Sequence, residues 1–194
     1  MKADKVVIVA ITGASGAIYG IRLLEVLSGL AQMRTHLVIS SAAEITVKHE
    51  TCWDLHRIKA LATCCYDVDA IEAAISSGSF RRDAMVIAPC SVKTLSAVAN
   101  SYADNLITRA ADVTLKERGR LILLVRETPL HLGHLKNMVA ATEMGAVILP
   151  PVPAFYHHPK GISEIVDQTV GKVLDLLEIE NKLFERWDGA KILG

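Results

Sequence analysis

The chain has 194 residues, a length that fits one α/β domain with a full hydrophobic core. Its 21 lysine and arginine residues balance 21 aspartate and glutamate residues, so no overall field attracts nucleic acid or an anionic membrane surface. The mean hydropathy of +0.33 is high for a chain of this size. It predicts that the protein buries apolar surface against copies of itself, as a homo-oligomer.

Five short apolar runs have the length and composition of buried β-strands. In chain order they are residues 6–11, 36–40, 84–88, 121–125 and 146–149. Segments with helical spacing alternate with them, at residues 18–27, 42–49, 70–77, 92–100, 104–118 and 163–184, whereas residues 51–68 have no clear period. Strands that alternate with helices predict an α/β fold with a doubly wound parallel sheet and a long C-terminal helix. No linker or repeat interrupts the pattern, so we expect a single domain over residues 1–194.

The first strand runs into a loop of small residues, Thr12-Gly-Ala-Ser-Gly16. A strand, a glycine turn and a helix in this order point backbone N–H groups at an anion, so the loop predicts a phosphate-bearing ligand. The loop matches neither the G-x-G-x-x-G fingerprint nor a nucleotide-triphosphate loop, which needs a Lys-Ser or Lys-Thr pair. A tight turn that binds nothing is the alternative.

Polar side chains also follow the other strands, at the point where each strand ends. Ser40 and Ser41 follow the second strand, Ser91-Val-Lys-Thr94 follows the third, and Arg126-Glu127 follows the fourth. Ligands of open α/β sheets bind beyond the carboxyl ends of the strands, so we expect these segments to form one binding site.

Two of these segments carry groups that would bind a phosphate or transfer a proton. Ser91 is a natural N-cap, and the unpaired N–H groups of the helix that starts there would bind a phosphate. In a cleft, Arg126 would hold a phosphate while Glu127 handles a proton. The alternative for the first segment is an ordinary capped helix with a solvated Lys93. The alternative for the second is a solvated Arg126-Glu127 pair.

Other reactive residue types have simpler interpretations. Arg109 and Lys116 share one helix face, which is most commonly a solvated basic stripe. We interpret Cys90 as a small buried apolar residue rather than a nucleophile, because no base is paired with it. His131 and His134 could both bind a metal, but two histidines without a third ligand do not make a site, so we expect no metal.

The compartment is predicted from features of the whole chain. The N-terminus lacks a cleavable signal sequence, and no apolar run approaches the roughly 20 residues that span a bilayer. The four cysteines have neither zinc-ligand nor disulfide-framework spacing. We therefore expect a cytoplasmic protein with reduced thiols and no membrane partner.

Several long motifs together resemble one family. They are Thr12-Gly-Ala-Ser-Gly-Ala-Ile-Tyr-Gly20, Ala88-Pro-Cys-Ser-Val-Lys-Thr94, Asn105-Leu-Ile-Thr-Arg-Ala-Ala-Asp112, Leu115-Lys-Glu-Arg118, Arg126-Glu-Thr-Pro-Leu130, Pro153-Ala-Phe-Tyr-His157 and Val166-Asp with Val170-Gly-Lys-Val-Leu-Asp175. In these segments, which cover the chain nearly from end to end, it resembles the flavin prenyltransferases, once described as 3-octaprenyl-4-hydroxybenzoate or phenylacrylic acid decarboxylases.

The resemblance implies a flavodoxin-like fold, a dodecameric assembly and a metal-independent reaction. The expected cofactor is reduced FMN, and the expected prenyl donor is dimethylallyl monophosphate. The product, prenylated FMN, would serve a partner decarboxylase that acts on aromatic or acrylic acids.

The resemblance also implies residue roles. The expected FMN contacts are Gly13, Ala14, Ser15, Ser40, Ser91, Val92, Lys93, Thr94 and Arg126. Ser15 and Glu50 would flank the flavin N5 and relay its proton. Tyr156 and Lys172 would bind the prenyl phosphate across a subunit boundary. The same phosphate pocket would be lined by Arg109, Lys116 and Glu127, with Lys116 and Glu127 assisting the departure of the phosphate.

The chain departs from the family pattern at two positions. Lys172 stands where the family usually has arginine, so a bidentate grip on phosphate is replaced by a point charge. Ser41 replaces the usual lysine after Ser40. These changes predict weaker phosphate affinity rather than loss of activity.

Three other functions remain open from the sequence. The chain could be a direct decarboxylase of aromatic acids, or an FMN carrier without catalytic activity. A flavoprotein that decarboxylates a cysteinyl substrate is disfavoured, because that class has a catalytic histidine where this chain has Ala17-Ile-Tyr19.

Overall fold

The structure, a computed structural model, describes residues 4–187 and 189. The chain forms two compact units, Met1–Pro150 and Pro151–Gly194. The first unit contains a six-stranded parallel sheet with helices on both faces, and the second contains one helix and the segments on either side of it.

The sheet has the parallel, doubly wound architecture that the sequence predicts. Its strands are Lys5–Ile11 (β1), Met33–Ile39 (β2), Cys64–Tyr66 (β3), Ala84–Cys90 (β4), Arg120–Val125 (β5) and Val147–Ile148 (β6). They lie in the order β3-β2-β1-β4-β5-β6, which is the Rossmann order. Without the short edge strand β3, the remaining order is that of a flavodoxin. The strand order reverses between β1 and β4, so a ligand site is expected at their carboxyl ends.

Seven helices in the described residues connect and cover the strands. They are Ala17–Ser28 (α1), Ser41–Glu50 (α2), Leu55–Ala60 (α3), Val92–Ala99 (α4), Leu106–Lys116 (α5), Leu132–Glu143 (α6) and Ile162–Leu176 (α7). A 3₁₀ turn at Ala74–Ser76 precedes β4. None of these helices has the length and apolar character that a bilayer span requires.

The alternation of side chains along the strands divides the core between the two faces of the sheet. Met85 and Ile87 of β4 and Leu121 and Leu123 of β5 face one cluster, which α4, α5 and α6 cover. Helix α1 packs on β1, β2 and β4 from the other face. Burial on both faces explains why the central strands read as continuous apolar runs.

Strand β4 carries one residue more than β5 at its carboxyl end. The register pairs Ile87 with Leu123 and next pairs Cys90 with Val125, so the extra residue forms a bulge. Cys90 therefore joins the same core cluster as Met85 and Ile87.

Several predicted segments differ from the structure. Residues 70–77 form no α-helix. Their N–H groups bond three residues back rather than four, as from Ser76 to the Ala73 carbonyl, and only the 3₁₀ turn at Ala74–Ser76 is regular. The short elements β3 and α3 lie within residues 51–68, where the sequence has no clear period. Helix α6 was also missed, because exposed leucines and Val139 blur its period and only Ala141 is fully buried.

The C-terminal helix is shorter than the predicted segment 163–184. Helix α7 ends at Leu176, and Glu178 adopts a left-handed backbone conformation with φ of 56°. The N–H of Ile179 bonds to the carbonyl of Leu174, which closes the last turn. The following residues are therefore free to fold back along the helix.

Gly20 lets α1 approach the sheet closely, which makes it a test of the packing. A Cβ at this position would lie 2.2 Å from the Ala88 carbonyl oxygen and 2.9 Å from Cγ1 of Ile11. We expect Gly20→Ala to lower the free energy of unfolding by about 1–3 kcal/mol, because the helix must move away from the sheet. Chemical denaturation at fixed protein concentration measures the change.

The matched control is Gly29→Ala at the end of the same helix. Its new Cβ would lie no closer than 3.6 Å to another heavy atom, and the backbone there is right-handed. This variant should be at least as stable as the wild type. Equal losses of stability in both variants would contradict the packing argument.

Candidate functional site

A cavity of about 620 Å³ lies at the carboxyl ends of β1, β2, β4 and β5. Its lining includes all of the predicted cofactor-contacting residues: Gly13, Ala14, Ser15, Ser40, Ser91, Val92, Lys93, Thr94 and Arg126. Glu127 lines it as well. Residues from four separate strand ends thus converge on one site, as the sequence predicts.

The Thr12 hydroxyl joins the two central strands at the floor of this cavity. Its Oγ1 donates to the Pro89 carbonyl at 2.7 Å and accepts from the Ser91 N–H at 2.8 Å. Thr12 is itself buried. One side chain therefore fixes the end of β1 relative to the residue that starts α4.

Gly13 brings the first loop against the start of α2. A Cβ at Gly13 would lie 2.5 Å from the Ala42 Cβ, so no larger residue fits without displacement of the helix. The Ser40 hydroxyl caps α2 by accepting from the Ala43 N–H at 3.1 Å. The N-terminus of α2 consequently opens on the cavity.

The start of α4 has the groups that bind anions. Ser91 caps the helix through the Thr94 N–H at 3.3 Å, and its hydroxyl lies 3.1 Å from the Thr94 hydroxyl. Lys93 Nζ lies 3.4 Å from Asp104, and its side chain is 79% exposed. Hydroxyls, a helix N-terminus and a cation on one side of the cavity suit a phosphate.

The N-terminus of α1 is already occupied by a side chain of the protein. Oε2 of Glu50 accepts from the Gly16 N–H at 2.7 Å and from the Ala17 N–H at 3.4 Å. A carboxylate here satisfies donors that a phosphate would otherwise use. The Gly16 and Ala17 N–H groups are therefore already bonded within the protein, which argues against the first loop as a phosphate cradle.

Several contacts act on the protonation of Glu50. Burial raises the pKa of this carboxyl, but hydrogen bonds from the Ser15 hydroxyl and from the Gly16 and Ala17 N–H groups, with the charge of Arg126, outweigh it. The net result is a pKa below the ordinary value. Glu50 is thus ionised at neutral pH and hydrogen-bonded to Ser15, as a proton relay requires.

Arg126 and Glu127 follow β5 at the far side of the cavity. The Arg126 N–H bonds to the Cys90 carbonyl at 3.1 Å, which ties this segment to β4. Oε1 of Glu127 accepts from the Thr128 N–H at 2.9 Å. Both side chains line the cavity, so a cation and a carboxylate face the same ligand.

Within a single chain Arg109 and Lys116 do not line this cavity, so their place in a phosphate pocket with Glu127 stays a prediction. Arg109 bonds to Asp112 at 2.9 Å and to the Ser76 carbonyl at 3.2 Å. Lys116 pairs with Glu117. Their shared face of α5 turns towards the 3₁₀ segment, because residues seven apart lie on one side of a helix.

Tyr156 and Lys172 belong to the second unit. Lys172 Nζ lies 3.6 Å from Oδ2 of Asp175. The Tyr156 ring makes edge-on contacts with His157 and Trp187, at centroid distances of 5.5 and 5.8 Å. Both predicted donor ligands are partly exposed in this unit, at 39% for Tyr156 and 50% for the Lys172 side chain.

The sequence predicted no role in the site for several residues that line the cavity, among them Val68, Asp69, Asp104 and Asn105. Asn105 caps α5 and forms a capping box with Thr108. This Asn-x-x-Thr pattern is a signal that would have placed the helix start at the cavity. Val68 and Asp69 follow β3, which was not predicted.

The remaining reactive residues have structural roles or stay unassigned. Cys90 is fully buried, and burial raises the pKa of its thiol, so its interpretation as an apolar core residue is confirmed. The ring centroids of His131 and His134 lie 3.7 Å apart, with the ring planes tilted by 33°. In the described part of the chain, no three histidine, cysteine or carboxylate side chains form a potential metal site.

The fold and this cavity define a class of protein: doubly wound α/β proteins that hold a phosphate-bearing ligand where the strand order reverses. The family model described as "Flavoprotein" matches residues 1–186. A flavin prenyltransferase UbiX from Thauera aromatica is 56% identical over 183 residues, which cover 94% of each chain. The chain therefore belongs to the Flavoprotein family and, within it, to the UbiX-type flavin prenyltransferases.

Two solved structures are also similar to the chain. A UbiX protein (PadA1) in complex with FMN and dimethylallyl pyrophosphate has a TM-score of 0.94 and 48% identity, covering 96% of this chain and 98% of that one. A dodecameric FMN-dependent UbiX-like decarboxylase from Escherichia coli O157:H7 has a TM-score of 0.93 and 44% identity, covering 95% and 100%. The predicted flavodoxin-like fold is confirmed.

The lowered pKa of Glu50 makes its contribution to stability depend on pH. The native pKa lies below the ordinary value of 4.5, so the carboxylate stabilises the fold above that pH. This stabilisation disappears as the pH falls through the native pKa. We expect Glu50→Gln to be less stable than wild type at pH 7, and the difference to shrink towards pH 3.

Urea denaturation midpoints of the two proteins across this pH range measure the effect. Glu143→Gln, at an exposed position of α6, controls for the loss of one negative charge. A Glu50→Gln deficit that is the same at every pH would show that the hydrogen bonds to Gly16 and Ala17 do not depend on the carboxylate charge.

Proposed function

We propose that this protein is a flavin prenyltransferase that transfers the dimethylallyl group of dimethylallyl monophosphate to reduced FMN and releases phosphate. The observation that carries the proposal is the convergence of all the predicted flavin contacts on one cavity, in a chain whose relatives carry this name. A similar structure contains FMN and dimethylallyl pyrophosphate, which supports FMN together with a dimethylallyl phosphate ester as the ligands.

The residues around the cavity fit FMN. Its phosphate would bind at the start of α4, where Ser91 and Thr94 present hydroxyls and Arg126 adds a charge. The loop at Gly13 and Ala14 would lie against the flavin, because the nearby α1 N-terminus is taken by Glu50. Bound reduced FMN supplies the electron-rich ring that accepts the allylic carbon.

The protein's own groups would handle the protons. Ser15 is hydrogen-bonded to the ionised Glu50, so a proton can pass from the cavity through the hydroxyl to the carboxylate. Glu127 would protonate the phosphate as the bond between the allylic carbon and the phosphate oxygen breaks and the phosphate keeps the electron pair. Arg109 and Lys116 of a neighbouring subunit would stabilise the developing negative charge.

A second copy of the chain would complete the donor site. Arg109 and Lys116 face away from the cavity of their own chain. Their exposed parts would supply cations to the donor phosphate of a neighbouring subunit, alongside Tyr156 and Lys172. The dodecameric relative supports a homo-oligomer.

The wider context is part of the proposal. Prenylated FMN would be delivered to a partner decarboxylase that acts on aromatic or acrylic acids. The family match runs from residue 1 to 186 without interruption, which supports a single FMN-binding domain. All four cysteines are free thiols, which supports a reducing compartment such as the cytoplasm.

An anaerobic single-turnover assay tests the function. Protein, reduced FMN and dimethylallyl monophosphate are mixed, and the extracted flavin is weighed by mass spectrometry, with dimethylallyl pyrophosphate as a parallel donor. A flavin heavier by one prenyl unit is expected. An unchanged flavin with carbon dioxide released from an aromatic acid would instead identify a direct decarboxylase, and an unchanged flavin alone would leave an FMN carrier.

Ser15 separates flavin binding from proton transfer. We expect Ser15→Ala to retain FMN and to slow formation of the fourth ring at least tenfold, because the relay to Glu50 loses its hydroxyl. FMN absorbance of the purified variant and quenched-flow mass analysis provide the two readouts. Loss of FMN from the variant would show that the first loop holds the cofactor itself.

A further inference from the structure

The segment after α7 folds back along that helix. Nδ2 of Asn181 donates to the Gly171 carbonyl at 3.3 Å and to Oδ1 of Asp175 at 3.0 Å. The Phe184 ring packs on Gly171, where a Cβ would lie 2.5 Å from ring atoms. Because Gly171 has no side chain, the Phe184 ring can pack directly against α7.

The tail places a second cation beside Lys172. Arg186 forms a bidentate pair with Asp175, at 2.6 Å to Oδ1 and 3.0 Å to Oδ2, and Lys172 Nζ lies 3.6 Å from the same Oδ2. One carboxylate thus holds two cations, and the cluster keeps a net positive charge. The cationic side chains are 50% and 56% exposed, whereas that of Asp175 is only 22% exposed.

The tail also reaches Tyr156. The Trp187 ring meets the Tyr156 ring edge-on at 5.8 Å. Hydrogen bonds and charge from Asp175, and the nearby Tyr156 phenol, raise the pKa of Arg186. Arg186 also lies over the Phe184 ring at 5.3 Å. Tyr156, Lys172 and Arg186 therefore share one region of the second unit.

We propose that Arg186 binds the phosphate of the prenyl donor and supplies the guanidinium that Lys172 does not provide. This role rests on the proposed function, in which Tyr156 and Lys172 bind the donor. Asp175 engages one edge of the Arg186 guanidinium, so the remaining N–H groups can bond to phosphate oxygens. Asp175 offsets part of the charge of both cations, whereas Asn181 and Phe184 hold the tail on α7 through Gly171.

Calorimetric titration of the full-length, FMN-loaded protein tests this role. The flavin is kept oxidised so that no turnover occurs, and the probes are dimethylallyl monophosphate and inorganic phosphate. We expect Arg186→Gln to weaken donor binding at least tenfold, as loss of a charge-assisted hydrogen bond implies, with FMN binding unchanged. Lys182→Gln removes a charge from the same tail and should bind the donor as wild type does.

Two further variants separate a ligand from a structural tether. Adding Lys172→Arg to the Arg186→Gln variant should restore most of the lost affinity, because a guanidinium returns to the cluster. Asp175→Asn should bind the donor at least as tightly as wild type, since both cations lose their competing carboxylate. Equal weakening by Asp175→Asn and Arg186→Gln would mean that the pair only tethers the tail, and would overturn the role.

The outcomes distinguish this role from the function on which it rests. Normal donor binding by both wild type and Arg186→Gln would overturn the role of Arg186 alone. A wild type that neither binds the donor nor prenylates FMN would overturn the proposed function together with it. Gly171→Ala would displace the Phe184 ring without a change in charge. If the packing of the tail on α7 positions Arg186, this variant should also weaken donor binding.

Discussion

The site depends on the bond between Glu50 and the first turn of α1. This carboxylate, at the C-terminal end of α2, satisfies the N–H groups of Gly16 and Ala17. It thereby removes one helix N-terminus from ligand binding and leaves the start of α4 for a phosphate. The same contact brings an ionised group to Ser15. One interaction thus divides the cavity into a region suited to phosphate and a region suited to proton transfer.

The cavity wall is held by short contacts between residues far apart in the chain. Thr12 bridges the ends of β1 and β4, and Gly13 admits α2 against the first loop. These groups lie where the strand order reverses, so the loops diverge and leave a space between them. Because the polar groups are fixed by the protein itself, a ligand meets a site that is already organised.

The sequence predicted the central sheet and the strand-end residues well, since buried parallel strands and the polar residues after them are local signals. It could not predict that Glu50 caps α1, because the two segments are remote and a lone glutamate has no pattern. The sequence also could not predict the orientation of Arg109. Basic residues on one helix face form the same pattern whether they face a ligand or the Ser76 carbonyl. The return of the tail to Asp175 depends on a turn at Glu178 that no proline or glycine marks.

The bulge in β4 determines which face of the sheet the residues after it point to. Along a regular strand, Met85 and Ile87 would be followed on their face by residue 89, but the extra residue puts Cys90 there. The thiol is consequently kept inside the protein, away from a redox-active ligand that could oxidise it, while Ser91 begins α4 at the cavity. If β4 kept all its residues but had no bulge, residue 89 would lie on this core face and the Cys90 thiol would point to the opposite face of the sheet.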